Sequence, residues 1–339
     1  MRLLVLGGSH FVGRAIVEAA VARGWSVTTF NRGLGDAPPL GVAQITGDRL
    51  VAADVERLRE AGEWDLVADT WSGAPRAVRD SAGALADRAG RYLYVSSGSV
   101  YAPPPPVGAG EDTPVVGASP DAGATDYASD KRGAELAVQA AFGNRCVLAR
   151  AGLILGPRED IGRLPWWLLR MERGGAVPVP GPPERKLQHV DARDLARWLL
   201  DAGAGEASGA FNVASRPGHA TTASLLEACR AVTGGRAELT WASPAAVADA
   251  GVQPWVDLPC WLPEDDAFAG MLAMDVERAH GAGLQCRPVE DTVRDTWTWL
   301  VAAGRRPPVR DGVPPHGMAP EQEAALLAAA RAEGSAAAD

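Results

Sequence analysis

Apolar and polar positions follow two different rhythms along the first half of the chain. Short apolar runs at 2–6, 26–30, 43–46, 65–68, 91–95 and 145–148 have the length and residue types of buried strands. Between them, 11–23, 55–61, 76–89 and 127–141 show helical spacing, as with Ile16, Ala19 and Ala20 in the first. Strands alternating with helices predict an α/β fold. Parallel strands need long crossovers, and helical crossovers cover both faces of the sheet.

Beyond Gly156 the pattern weakens. Residues 164–170, 195–202, 224–232 and 291–302 have helical spacing, 210–213 has that of a strand, and 241–265 is irregular and rich in Trp and Pro. The expected division is a sheet domain over 1–156 plus about 187–215 and a smaller mixed α/β unit over 157–186 and 216–303. A Pro/Gly linker and an Ala/Glu helix over 321–333 then form a peripheral tail, 304–339. The loop 102–126 holds Pro103 to Pro106 and is expected to be either a lid or a disordered connector.

Composition narrows the function. The 339 residues carry a net charge of −9, which is no footprint for nucleic acid. No apolar run is long enough to span a membrane, and Leu3 to Leu6 is too short for a signal-peptide core, so a cytoplasmic protein is expected. Cys146, Cys229, Cys260 and Cys286 are widely spaced and the His residues are scattered, so neither a metal site nor a disulfide framework is expected. Of the 33 basic residues only Lys131 and Lys186 are lysine, a bias of the kind a GC-rich coding sequence produces.

Gly7-Gly8-Ser9-His10-Phe11-Val12-Gly13 follows the first strand and opens the first helix. Glycine there lets backbone N–H groups approach a pyrophosphate at the positive end of the helix. The outer glycines of a GxxGxxG spacing are present at Gly7 and Gly13, with His10 in the middle position. The second strand ends in Asn31-Arg32, with no carboxylate to repel a 2′-phosphate and with a planar cation able to clamp one. NADP(H) is therefore preferred, with NAD(H) as the alternative. Asp48, after the third strand, can accept from an adenine amino group.

Tyr127 and Lys131 form YxxxK at the start of a helix and project from one face, one turn apart. A neighbouring ammonium favours phenolate; acting as a base near neutrality needs roughly three pKa units, or about 4 kcal/mol. Ser97, just after the strand 91–95, can hold the reacting oxygen. The alternative for Lys131 is a helix-surface pair with Glu135. A lysine at this position in a chain that otherwise uses arginine favours the catalytic reading.

These segments resemble the extended short-chain dehydrogenase/reductase superfamily, in the NAD-dependent epimerase/dehydratase group. They are GGSHFVG, SSGSVY at 96–101, YASDK at 127–131, ARAGLILGP at 149–157, QHVDARDLARWL at 188–199, GAFNVAS at 209–215 and Trp299. FNRG at 30–33, DARDLA at 191–196 and LPCWLP at 258–263 look most like an atypical branch similar to plant chloroplast stem-loop-binding proteins. The resemblance implies a Rossmann-type doubly wound parallel sheet with a smaller substrate domain, and it is compatible with a homodimer. It assigns catalysis to Ser97, Tyr127 and Lys131. The adenosine and pyrophosphate fall to Gly7, Ser9, His10, Phe11, Val12, Gly13, Asn31, Arg32, Asp48, Arg49 and Thr70. The nicotinamide side falls to Tyr127, Lys131, Ala151 and Leu153.

Gly98-Ser99 stands where sugar-nucleotide 4,6-dehydratases carry Asp-Glu, and 151–153 lacks the Asn that contacts a substrate diphosphate. Trp71, Ser99, Arg163 and Trp166 are the substrate-side candidates. The expectation is an oxidoreductase acting on a ketone or secondary alcohol of a polar, sugar-like small molecule. A cofactor-retaining epimerase is the alternative, ahead of a non-catalytic RNA-binding member.

Overall fold

The computed structural model describes residues 1–265, 267–310 and 312–336. In chain order the sheet half contains β1 (Arg2–Leu6), α1 (Phe11–Ala22), β2 (Ser26–Asn31), β3 (Ala43–Thr46), α2 (Ala52–Glu60), β4 (Trp64–Asp69), α3 (Pro75–Leu85), β5 (Ala89–Ser97), α4 (Tyr127–Phe142) and β6 (Cys146–Ala151). There follow β7 (Leu153–Leu155), α5 (Arg163–Arg173), β8 (Gly175–Pro180), β9 (Lys186–Leu187), β10 (His189–Asp191), α6 (Ala192–Ala204) and β11 (Gly209–Val213). The chain continues through β12 (Ala220–Thr221), α7 (Thr222–Val232), β13 (Ala237–Ala242), α8 (Pro244–Asp249), α9 (Glu277–Gly281), α10 (Val289–Ala302) and α11 (Pro320–Ala336).

Seven parallel strands form the central sheet in the order β11-β6-β5-β4-β1-β2-β3, the doubly wound arrangement expected. The near-continuous apolar strands are buried on both faces. In β1, Leu3 and Val5 pack with Ile16 of α1 and Leu195 and Leu199 of α6. Leu4 and Leu6, pointing the other way, pack with Leu58 of α2, Val78 of α3 and Val138 of α4. In register, Leu6 lies beside Phe30 and Asp69, and Ser97 beside Ala151. The ends of β1, β4, β5 and β6 therefore open onto one rim, where a doubly wound sheet binds its ligand.

The second unit has its own core, built from Leu164, Trp167 and Leu168 of α5, Leu225 and Leu226 of α7, Val293 and Leu300 of α10, and the parallel pair β8–β13. Neither strand of that pair was expected. β8 alternates Val177 and Val179 with Pro178 and Pro180; proline is tolerated because β8 pairs along one edge only.

The tail also differs from expectation. Met318, Leu326 and Ala330 are buried in the second core, and Nε of buried Arg170 donates to both carboxylate oxygens of Glu323 at 2.8 and 2.9 Å. An alanine-rich helix with few large apolar residues has a faint pattern, so its buried face is hard to read before its partner surface is known. Truncating Leu326, which has no exposed surface, to alanine is expected to cost about 2–4 kcal/mol. Thermal and urea unfolding measure this.

Candidate active site

The chain leaves β1 through Gly7 and Gly8 with φ of 112° and 90°, a backbone open to glycine and costly for other residues. A Cβ on Gly13 would lie 2.8 Å from the Gly8 nitrogen, so α1 can start this close only with glycine there. His10, the N-cap, makes no side-chain cap bond, and the first helical bond runs from Arg14 N to His10 O at 3.0 Å. The amides of Phe11, Val12 and Gly13 thus precede the helical ladder and form an anion cradle. The Thr70 hydroxyl is 3.2 Å from where a Gly7 Cβ would be. The loop after β2 lies against Ser9 and His10, so close that a Cβ on Gly35 would reach 2.6 Å from His10 Nε2. A pyrophosphate fits this turn.

The neighbouring candidates divide. Asn31 is a clasp: its Nδ2 donates to Gly7 O at 3.1 Å, and its Oδ1 accepts from Gly33 N and Gln44 Nε2 at 2.9 and 3.0 Å. It shapes the turn from behind. Arg32 is exposed and, among the described residues, has no acceptor. Asp48 accepts from Leu50 N at 2.9 Å, a turn that leads into α2.

The expectation for Arg49 is corrected. Its guanidinium is buried and makes a fork-to-fork pair with Asp69 at 2.8 Å for both bonds, stacked 5.0 Å from the Trp71 ring. A charge so deep needs a fixed counter-charge, and Asp69 supplies it. Arg49 is thereby held by Asp69 and Trp71 at the end of β4 rather than left free to meet a phosphate.

At the end of β5, Ser97 Oγ accepts from Ser99 N at 3.1 Å and lies 3.1 Å from Ser99 Oγ. Tyr127 opens α4, where Asp126 Oδ1 caps Ser129 N at 3.0 Å; its ring is half exposed. Lys131, one turn later, is buried. Its Nζ donates to Trp71 O at 2.6 Å and Val95 O at 2.8 Å, 4.9 and 6.0 Å from the Tyr94 and Tyr127 ring centres. Lys131 thus ties the tyrosine-bearing helix to the ends of β4 and β5. Burial pushes its ammonium down to about 7, against the charges of Asp69 and Glu135 and with those of Arg310 and Arg49.

Lys131 does not pair with Glu135. The buried Glu135 carboxylate instead accepts from Ser96 Oγ (2.8 Å), Arg132 Nη1 (2.9 Å), and Arg150 Nε and Nη2 (2.9 and 3.0 Å). Arg150 also donates to Glu111 O at 2.9 Å, and Tyr101 donates to Asn212 Oδ1 at 2.6 Å. Sequence reasoning missed this network. Its one visible sign was Arg150, a charge inside the apolar run of β6.

The family model for the NAD dependent epimerase/dehydratase family matches residues 3–214, from β1 through β11. The chain belongs to that family. This is the group of the short-chain dehydrogenase/reductase superfamily that the resemblance named. A curated relative, 2-alkyl-3-oxoalkanoate reductase of Stenotrophomonas maltophilia (strain K279a), is 32% identical over 221 residues, 59% of this chain and 64% of that protein. This chain thus matches less than two thirds of the relative's length.

Among solved structures, Bordetella bronchiseptica WbmH in complex with NAD+ superposes with TM-score 0.68 at 19% identity, covering 89% of this chain and 99% of that one. The UDP-glucose 4-epimerase of Thermus thermophilus, complexed with NAD, gives 0.62 at 22% identity, over 89% and 100%. At these identities the likeness is one of fold.

The substrate-side candidates of this epimerase/dehydratase-family chain are spread out. Trp71 and Ser99 stand at the rim, Trp71 giving its carbonyl to Lys131 and its indole N–H to Ala74 O at 3.0 Å. Ala151 and Leu153 are buried where β6 passes into β7. Arg163 opens α5 and lies 4.9 Å over the Trp255 ring. Trp166 meets Trp167 edge-on and is covered by Gly317, whose added Cβ would fall 1.9 Å from the indole nitrogen; it is a packing residue. A residue sequence reasoning missed is Met274, whose sulfur is 2.7 Å from where a Gly98 Cβ would stand. Among the described residues no helix is long and apolar enough to cross a membrane, and no cluster of metal-ligating side chains occurs.

Lys131 gives a signed pH test. Unfolded lysine keeps its proton to about pH 10.4, whereas the folded group loses it near 7, so the unfolded state binds more protons between those values and stability rises with pH. Unfolding free energies of wild type minus Lys131→Met are expected to climb by up to about 5 kcal/mol across that window. Chemical denaturation at stepped pH reads the slope.

Proposed function

We propose that this enzyme is an NADP(H)-dependent oxidoreductase that interconverts a ketone and a secondary alcohol on a polar, sugar-like small molecule. The observation carrying the reading is the buried Lys131 ammonium one helical turn from the exposed Tyr127 phenol. A nicotinamide dinucleotide held at the glycine turn supplies the hydride. Gly7, Gly8, Gly13 and the first amides of α1 bind its pyrophosphate. Tyr127 gives its phenolic proton to the substrate oxygen in reduction and takes it back in oxidation. Lys131, when charged, favours the phenolate by proximity. Ser97 Oγ, already turned to the rim by Ser99, holds the substrate oxygen beside the phenol.

Arg32 supports the choice of NADP(H). It is exposed at the end of β2, has no protein acceptor among the described residues, and follows Asn31 rather than a carboxylate. Net reduction, rather than epimerisation, is favoured by the 32% identity to a reductase. A reductase consumes reduced nicotinamide stoichiometrically, so the fall of its absorbance band with a ketone panel tests this point.

Tyr127→Phe is expected to lower kcat by about 10²–10⁴ with dinucleotide affinity unchanged; activity that survives the change would overturn the reading. Arg32→Ala is expected to lower the ratio of kcat/KM for NADPH to that for NADH by roughly 10–100-fold, the worth of a charge-assisted bidentate contact. Steady-state kinetics with both cofactors measures it.

A further inference from the structure

The ends of β5 and β6 are covered by a short piece of chain, 273–275, that two buried amides hold by its backbone. Gln188 Nε2 donates to Met274 O and Gln188 Oε1 accepts from Met274 N, both at 2.9 Å. Asn212 Nδ2 donates to Asp275 O at 2.8 Å and to Ala109 O at 2.9 Å. The loop 102–126 is bonded to the same piece, Gly108 N to Ala273 O at 2.7 Å and Asp275 N to Ala109 O at 3.1 Å. Met274 is thus fixed from both sides, and it is buried with Tyr101, Ala214 and Val276.

Its thioether lies against the two strand ends. A Cβ on Gly98 would stand 2.7 Å from the Met274 sulfur and 3.4 Å from its methyl carbon, and a Cβ on Gly152 would stand 3.3 Å from that methyl. Gly98 is the middle residue of the turn in which Ser99 N bonds Ser97 Oγ at 3.1 Å. Gly152 follows Ala151, the register partner of Ser97. The methionine therefore takes up space that side chains at 98 and 152 would need. The polar groups nearby are already engaged: Tyr101 OH donates to Asn212 Oδ1 at 2.6 Å, and both amides bond to main chain.

We propose that Met274 is a specificity-determining residue, the apolar wall beside Ser97, and that the substrate carries an alkyl arm on this side of its carbonyl and its polar part on the other. The assignment rests on the Ser97–Tyr127 reading of the site and narrows its substrate class. An alkyl arm gains by leaving water against a polarisable thioether. A hydroxylated arm would exchange its water for a sulfur that accepts only weakly and a methyl that does not. The unbranched methionine side chain can change rotamer to fit the arm while its backbone stays clamped.

The chain holds five methionines, so isotope labelling of the methionine methyls gives a small set of NMR signals, and the one missing from Met274→Leu is that of Met274. The probes are methyl hexyl ketone and dihydroxyacetone, an alkyl and a hydroxylated ketone, titrated into the full chain with NADP+ or NAD+ present so that neither is reduced. Methyl hexyl ketone is expected to shift the Met274 signal saturably and dihydroxyacetone to leave it in place. No shift with methyl hexyl ketone, or an equal shift with both, would overturn the assignment.

Calorimetry supplies the second reading. Met274→Gln is expected to weaken methyl hexyl ketone binding about tenfold or more, whereas Met274→Leu, which keeps the apolar volume, changes it about threefold or less. Equal weakening in the two variants counts against the wall, because a merely loosened segment gives the same loss whatever the polarity of the new side chain. None of these readings depends on turnover. Failure of the oxidoreductase reading would appear separately, as activity retained by Tyr127→Phe with the methyl shift intact.

Discussion

The Glu135 carboxylate has no contact with solvent and accepts four hydrogen bonds, one from Ser96 on β5, one from Arg132 on its own helix and two from Arg150 on β6. A carboxylate taken out of water is tolerable only when fixed donors surround it. α4 therefore cannot slide or rotate against the sheet without leaving a buried charge unmet. Tyr127 and Lys131 sit on the two turns before Glu135, so the same bonds set where the phenol and the ammonium lie. Through Arg150, Tyr101 and Asn212 the constraint extends to Glu111 in the loop 102–126 and to β11. The loop's inner part is thus tied to the strands beneath it.

Asp69 plays the matching part at the end of β4, accepting two bonds from Arg49 and one each from Tyr92 OH and Trp71 N. Lys131 feels the charge of both anchored carboxylates and, among the described residues, bonds only to main-chain carbonyls. The division of labour between the cations is physical. Arginine's planar fork stays charged and meets a carboxylate with two bonds, as at Asp69, Glu135, Asp191 and Glu323. Lysine's point charge loses its proton readily when buried, which suits a site whose work is to move one. The arginine excess first read as coding bias also supplies most of the buried ion pairs.

The second unit meets the sheet along the passage from β6 to β7. Gly152 is hemmed by Ala214 and Met274, with a Cβ there 3.1 Å from the Ala214 methyl, so the passage is narrow. Arg158 reaches back to Asp36 at 3.2 Å, joining the turn before α5 to the loop over the glycine cradle. These contacts place residues far apart in the chain around one rim.

Features whose cause is local were legible in the sequence. The alternation of buried strands and helices, the glycine turn, and Tyr127 and Lys131 one turn apart depend on spacings of a few residues, and backbone geometry alone converts those spacings into positions. The fate of each charge depended instead on partners distant in sequence. The resemblance assigned Arg49 to the cofactor, yet its guanidinium is taken up by Asp69, twenty residues on. A surface pair with Glu135, four residues on, was the alternative for Lys131, and Arg150 instead takes Glu135 into the core. The tail was read as peripheral because a Pro/Gly linker leads to an Ala/Glu helix, yet Arg170 and the second core hold that helix. An ion pair's energy depends on the burial and orientation of both members, and only the folded chain specifies those.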